Sequence, residues 1–188
     1  MTHRTTGFLF IALAAGTLAA CGGPDQRFAT PASTPTVRVA SAYPTLEVVE
    51  VTLPLYAASE EIYAADAGGA ITPLGPLWAD DPARAMTLQL SRDLGQITGA
   101  TVAPEPWPYR DYAAAKVDVR IEDMLATDAG TFRLAGQYFV APDEGGRNRS
   151  GSFSIEVPMA TPDSAATIAA ARSAAVSQLA ETVARRGL

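Results

Sequence analysis

Apolar and polar positions along the chain alternate with a period of two in several stretches and follow a helical period in two others. Val37-Arg38-Val39-Ala40 alternates briefly. Leu46-Glu47-Val48-Val49-Glu50-Val51-Thr52-Leu53 is rich in β-branched residues and predicts a strand with Val49, Val51 and Leu53 on one face. Pro54 closes it, because proline offers no donor to a ladder. Ile62-Tyr63 and Ala70-Ile71 flank Asp66-Ala67-Gly68-Gly69, which predicts a hairpin with a glycine-rich turn. Thr101-Val102-Ala103 is a short strand. Lys116-Val117-Asp118-Val119-Arg120-Ile121-Glu122 alternates strictly, with Val117, Val119 and Ile121 inward. Asp128-Ala129-Gly130 turns that strand into residues 131–140, and residues 152–157 alternate again after a polar loop. These last three segments predict an antiparallel meander.

The helical stretches carry their own boundaries. Asp81-Pro82 sets a capping carboxylate before a proline suited to the first helical position. Met86, Leu90 and Leu94 then recur every four residues, with Ile97 three further on, so one apolar stripe runs along a helix over residues 82–98. Gly99 stops it. Thr161-Pro162-Asp163-Ser164 opens an alanine-rich helix to about Arg186, with Ile168, Ala171, Ala175, Leu179 and Val183 along one side. Arg185 and Arg186 sit in its last turn, where positive charge suits the helix dipole. The order of strands, helix, meander and helix predicts one α/β (α+β) domain. Its sheet is expected to be mixed and mostly antiparallel, with two helices packed on one face.

The N-terminus has a different pattern. His3 and Arg4 precede the uncharged apolar run Gly7 to Leu18, which is shorter than the roughly 20 residues a membrane-spanning helix needs. It has the length and flanks of a signal-peptide core. Leu18-Ala19-Ala20-Cys21 then looks like a lipobox, so residues 1–20 are expected to be removed and Cys21 to carry lipid. Cys21 is the sole cysteine, which excludes an internal disulfide. The absence of Asp directly after it resembles an outer-membrane address. Residues 21–36, rich in Gly, Pro, Ser and Thr, read as the lipidated N-terminus and a tether that could span about 40 Å. The other reading of that stretch is an irregular edge segment lying on the domain, with Arg27-Phe28 pairing briefly with the sheet. The globular domain is expected over residues 37–188.

Charge and residue types narrow the chemistry. Removing residues 1–20 removes His3, the only histidine, and with it histidine-dependent triads and most transition-metal sites. Acidic residues exceed basic ones by 20 to 14, which argues against nucleic acid as a partner. Lys116 is the only lysine and has no serine at the spacing of a Ser-Lys mechanism. Three of the adjacent carboxylate pairs invite an enzyme reading: Glu60-Glu61, Asp80-Asp81 and Glu122-Asp123. Glu60-Glu61 follows a proline turn and reads as solvated, and Asp80-Asp81 is accounted for by helix capping. Glu122 and Asp123 would point to opposite faces of a continuing strand. No cofactor, phosphate-loop or metal motif occurs. Trp78, just before the first helix, and Trp107, in a proline-framed loop, either close the ends of the core or, with Tyr56, form an aromatic surface for a partner.

These segments resemble a known family. Val49-Glu50-Val51-Thr52-Leu53-Pro54-Leu55-Tyr56 is similar to the V-x-V-x-L-P-x-Y stretch of PqiC/YmbA-type lipoproteins, the ABC-type transport auxiliary lipoproteins. Leu77-Trp78-Ala79-Asp80 resembles their Trp-Ala-Glu segment. Pro106-Trp107 with Val117 to Glu122, then Gly130 to Val140, resemble their later strand blocks, and the last helix takes the place of their closing helix. Tyr138 stands where many members carry Trp, and Asp80-Asp81-Pro82 replaces a Glu-Pro pair.

The resemblance implies a non-enzymatic lipoprotein of an MCE/ABC-type lipid transport system between inner and outer membranes. It would be anchored in the outer membrane through Cys21, face the periplasm and dock an MCE-domain protein. A homo-oligomer is compatible with its modest net charge. The competing expectation is an accessory or chaperone lipoprotein for outer-membrane assembly or secretion.

Overall fold

The structure, a computed structural model, describes residues 25–161 and 164–188. The expected signal peptide and Cys21 lie outside the described residues, as do Pro162 and Asp163 at the predicted opening of the last helix. In chain order the strands and helices are β1 (Arg27–Phe28), β2 (Thr45–Val48), β3 (Glu61–Ala65), β4 (Ile71–Trp78), α1 (Pro82–Thr98), β5 (Thr101–Pro104), β6 (Ala115–Thr127), β7 (Thr131–Pro142), β8 (Arg149–Pro158) and α2 (Ala165–Arg186). A short 3-10 turn, Leu55–Ala58, lies between β2 and β3. The elements form one α+β domain.

The sheet is organised around β6, whose 13 residues make it the longest strand. One edge pairs antiparallel with β7 along nearly its whole length, and β7 pairs antiparallel with β8, which is the predicted meander. The other edge is shared. β2 pairs with it in parallel at the start, Leu46 opposite Ala115, and β3 in parallel at the end, Ala65 opposite Thr127. β5 extends the sheet beside β2, while β4 and then β1 extend it beside β3. The sheet is therefore mixed, with its longest ladders antiparallel.

Alternation decides which face is buried. Val117, Val119, Phe132, Leu134, Tyr138 and Val140 point into the core, where they meet the predicted stripes of both helices. Met86, Leu90 and Leu94 of α1 and Ile168, Ala175, Leu179 and Val183 of α2 have no accessible surface or almost none. Lys116, Arg120, Glu122 and Gln137 face solvent on the opposite side. Both boundaries of α1 are where local chemistry puts them. The Asp81 carboxylate accepts from Arg84 N–H at 2.7 Å, and Gly99 takes the left-handed conformation at φ 72°.

Two bulges depart from the expected strands. The strand expected over residues 46–53 is regular only to Val48. Val49 N–H bonds Val117 O and Thr52 N–H bonds Val119 O, so three residues lie against two of β6. The extra residue turns Val51 N–H toward α1, where it donates to Thr87 Oγ at 2.9 Å. Val51 is buried while Val49 is only half-buried, so the expected common face is broken. Further along β6, Ile121 and Asp123 oppose consecutive residues of β7, Gly136 and Ala135, which bulges Glu122. The bulge brings the Arg120 carbonyl so close that a Cβ at Gly136 would lie 2.1 Å from it. Only glycine fits there.

Residues 25–36, expected as the outer part of a free tether, lie on the domain as an edge segment. Arg27 pairs with Leu77 and Phe28 with Trp78, so β1 is a parallel edge strand. The chain then runs extended beside α1, with Ser33, Pro35, Val37 and Val39 turned inward at alternate positions. The Ser33 hydroxyl donates to the Asp93 carboxylate of α1 at 2.6 and 2.9 Å. Ser173 of α2 donates to Pro31 O at 2.8 Å, and Val39 N–H donates to Ile97 O at 3.0 Å. Composition alone reads such a stretch as a linker; much of its hold is polar and backbone-mediated, with Phe28 and Val39 as its apolar contacts to the core.

Asp93 is 1% exposed, and it also receives the Ser177 hydroxyl at 2.7 Å and the Gln89 amide at 3.3 Å. Asp93→Ala removes the shared acceptor of the half-buried Ser33 and Ser177 hydroxyls, while Gln89 keeps Ser173 O, and each donor left unpaired costs about 1–3 kcal/mol. The expected outcome is a melting temperature lowered by several degrees, with faster tryptic cleavage after Arg38. Asp93→Asn, which keeps an acceptor, retains most of the stability. An unchanged melting temperature in Asp93→Ala would show that the segment is held otherwise.

Candidate partner interface

The three aromatic residues singled out from the sequence do not come together. Trp78 ends β4 and is 3% exposed, so it closes the core and offers no surface. Arg172 of α2 covers its ring, with the guanidinium carbon 4.5 Å from the ring centroid, and donates to Pro82 O at 2.8 Å. Arg172 is itself buried, and burial pushes its pKa down to about 10, against the opposing pull of Asp81 and Asp80. It remains a cation at neutral pH, held over an aromatic face and bonded to a helix-start carbonyl. Beside it lies a pocket of about 200 Å³ walled by Phe28, Leu88 and Arg92.

Tyr56 is half-buried between the 3-10 turn and the sheet. Its hydroxyl accepts from Met124 N–H at 3.0 Å, and its ring meets Tyr63 edge to face at 5.7 Å. Burial raises its pKa above the usual phenol value, outweighing the Met124 bond. Tyr56 is thus a wedge for the bulged part of β6.

Trp107 lies where the sequence suggested an outward aromatic. It sits in the loop between β5 and β6, and its indole N–H donates to Asp111 O at 2.6 Å, closing the loop on itself. Tyr109 packs edge to face on Trp107 at 5.0 Å and is 57% exposed; Tyr112 is 85% exposed. Neither tyrosine is among the three aromatics read from the sequence, although the same run, Pro106-Trp107-Pro108-Tyr109-Arg110-Asp111-Tyr112, contains them. The signal was present: three aromatics and an arginine within six residues, starting between two prolines, in a segment without strand or helix periodicity.

The loop borders a groove of about 620 Å³ between Tyr43 and Pro44 on one side and Asp143 and Glu144 on the other. Its floor is fixed by one backbone bond, Asp143 N–H to Ala114 O at 3.0 Å, and one to a side chain, Ala114 N–H to Thr45 Oγ at 2.8 Å. Beside it, the half-exposed Lys116 ammonium meets the buried Glu47 carboxylate at 2.9 Å, and this contact raises the lysine's pKa. The loop thus offers exposed Tyr109, Arg110 and Tyr112 beside a half-buried Trp107, and Trp, Tyr and Arg are the residue types that dominate binding energy at protein interfaces. The groove's lining carries three carboxylates (Asp111, Asp143 and Glu144) against one arginine (Arg110), a balance that suits a partner carrying basic residues.

The carboxylate pairs are engaged structurally. Glu60 pairs with Arg27 at 2.7 Å and is not simply solvated, and Glu61 accepts from the Tyr63 hydroxyl at 2.6 Å. Asp80 pairs with Arg84 four residues on, while Asp81 caps α1. The bulge overturns the expectation that Glu122 and Asp123 face apart. Both lie on the solvent side, where Glu122 accepts from Gln137 at 2.8 Å and Asp123 lies 3.3 Å from Arg133 Nε, without hydrogen-bond alignment. Among the described residues, no group of three or more His, Cys, Asp or Glu side chains is placed to hold a metal ion.

Comparison with known proteins adds the following. A model of the family described as ABC-type transport auxiliary lipoprotein component matches residues 27–184. No curated protein matches the chain. Among solved structures, an uncharacterized protein is similar at 15% identity and a TM-score of 0.70, over 86% of this chain and 97% of its own. A Xanthomonas campestris protein of the DUF330 family is similar at 17% identity and a TM-score of 0.65, over 85% of this chain and 93% of its own. At these identities the likeness is one of fold.

Truncating Arg172 tests the buried cation over Trp78. Arg172→Ala removes a desolvated cation–π contact and a charged hydrogen bond, each worth about 2 kcal/mol. Relief of the buried charge offsets part of that loss. The expected net loss is about 2 kcal/mol, read as a lower urea midpoint together with a shift in Trp78 fluorescence. A midpoint equal to or above that of the parent would show that burying the cation costs more than its contacts return.

Proposed function

The chain belongs to the family of ABC-type transport auxiliary lipoprotein components, and on that premise we propose that it is the non-enzymatic anchored subunit of an MCE/ABC-type lipid transport system between inner and outer membranes. Cys21 carries the lipid, the domain faces the periplasm from the outer membrane, and an MCE-domain protein docks on it. One observation supports the docking reading above the others: the Trp107, Tyr109 and Tyr112 loop stands exposed on a closed backbone beside a groove. The lipobox Leu18-Ala19-Ala20-Cys21 supports the anchor, and several acyl chains on one cysteine hold stably where a single chain holds only marginally.

The test uses the lipidated protein with a photo-crosslinking residue at Tyr112, followed by identification of the partners in cells. An MCE-domain protein is the expected product. Recovery of only secretion or outer-membrane assembly proteins would move the function to an accessory lipoprotein of those systems.

Two sets of variants sharpen this. Trp107→Ala and Tyr112→Ala should each weaken partner binding by about 2 kcal/mol, roughly thirtyfold, with the melting temperature nearly unchanged. Loss of folding instead of binding would return Trp107 to a core role. Cys21→Ser should give a folded, released and inactive protein, and full function from that soluble form would refute the anchoring requirement.

A further inference from the structure

We infer that the β3–β4 hairpin is a lipid-contacting surface, whose tip rests on the bilayer holding the anchored N-terminus and so points the aromatic loop away from it. This rests on the reading that Cys21 carries the lipid.

Strand direction supplies the first step. β1 is parallel to β4, with Arg27 opposite Leu77 and Phe28 opposite Trp78, and Gln26 O accepts from Leu77 N–H. The chain therefore enters β1 from the side of the hairpin turn. From Arg27 onward it has no slack. Arg27 bonds Trp78 O and pairs with Glu60, Ala79 N–H bonds Phe28 O, and Ser33 is held by Asp93. Only the residues from Cys21 to Arg27 separate the lipid from this fixed point, and even fully extended they reach no more than about 20 Å. From Leu77 back along β4 to Ile71 is about the same distance. The bilayer surface then lies within about 20 Å of Arg27, a reach that takes in the hairpin tip.

Chemistry supplies the second step. From Ile62 to Trp78 the only charged residue is Asp66. Its carboxylate is folded back on the turn, accepting from Ala70 N–H at 2.9 Å. Ile71 is 41% exposed, Ala67, Ala70 and Pro73 are exposed, and Leu74 is half-buried. β4 contains Pro73 and Pro76, which break its run of N–H groups, so its free stretch is a poor template for an added protein strand. A tip with one turn-bound carboxylate and no basic residue, apolar otherwise, suits a lipid surface better than a peptide, and without basic residues its contact should not be strengthened at low salt.

The third step is the orientation that follows. The hairpin meets the end of β6 at Thr127, while the Trp107 loop precedes its start at Ala115. Thirteen residues of strand put about 40 Å between the two ends.

The experiment reconstitutes the lipidated full chain in phosphatidylethanolamine–phosphatidylglycerol vesicles. A fluorophore is attached in turn to Ala67→Cys, Ile71→Cys and Tyr112→Cys, all at exposed positions, and spin-labelled headgroups act as quencher. Loss of fluorescence at positions 67 and 71, with none at 112 and no change in high salt, is expected. Equal loss at all three positions, or loss at 112 alone, overturns the inference. If the protein floats with vesicles but positions 67 and 71 keep their emission, the anchor reading stands and the hairpin inference fails. If Cys21→Ser floats as well as the parent, the anchor reading itself fails, and the inference with it.

Discussion

Asp93 holds together three segments that have little else to register them. It lies on α1, receives one hydroxyl from the N-terminal segment and another from α2, and shares its own helix's Gln89. Gln89 also donates to Ser173 O at 2.8 Å, and Ser173 in turn reaches Pro31 O. The polar groups form a closed set at the junction of helix, helix and edge segment. The apolar contact around them is built largely of alanines from α2, including Ala169, Ala175 and Ala180. Such a smooth surface tolerates sliding, whereas a buried carboxylate with several directional donors does not, since any shift leaves a polar group unpaired. This junction fixes the position of the N-terminal segment, and hence where Arg27 and Phe28 join the sheet.

The sequence made local features legible and left cross-chain features hidden. α1 was readable to the residue because its cap, its stripe and its glycine stop all lie within the segment itself. β6 and the meander were readable because one solvated face imposes strict alternation. The bulges were not. Each depends on a fit between strands, such as the Arg120 carbonyl against Gly136, and nothing in Glu122-Asp123 announces it. Trp78 was ambiguous for the same reason: a tryptophan before a helix can close a core or face outward, and Arg172 of a distant helix decides which. The edge segment was misleading because proline, serine and threonine describe a linker and also an extended chain held through its backbone and one hydroxyl. Of the candidate interface, Trp107 was legible, and Tyr109 and Tyr112 could have been read from the same run.

An auxiliary lipoprotein has to hold one end of a complex at a membrane and offer another surface to its partner. The domain keeps these demands apart. The core is closed by Trp78 and Tyr56, the carboxylate pairs are engaged in caps and ion pairs, and one face of the sheet carries solvated charge. Exposed aromatic residues gather instead at the loop that opens β6, on a backbone closed by the indole of Trp107. A side chain held by its own loop loses little freedom on binding, so more of its contact area appears as affinity.

The energetics of the hairpin contact do not need to be large. On the proposed reading, several acyl chains on Cys21 secure the protein to the bilayer, and the hairpin then adds no affinity that the anchor lacks. What remains open for an anchored domain is its tilt, and a preference of about 1.4 kcal/mol biases an orientation roughly tenfold. Full burial of one isoleucine side chain is worth about 1.5–3 kcal/mol. Ile71, already partly covered, can supply a share of that, with Ala67, Ala70 and Pro73 adding to it. A shallow tip whose single carboxylate is bound back on the turn, near a short anchor, is therefore enough to hold the long axis of β6 away from the membrane, with the aromatic loop at its far end.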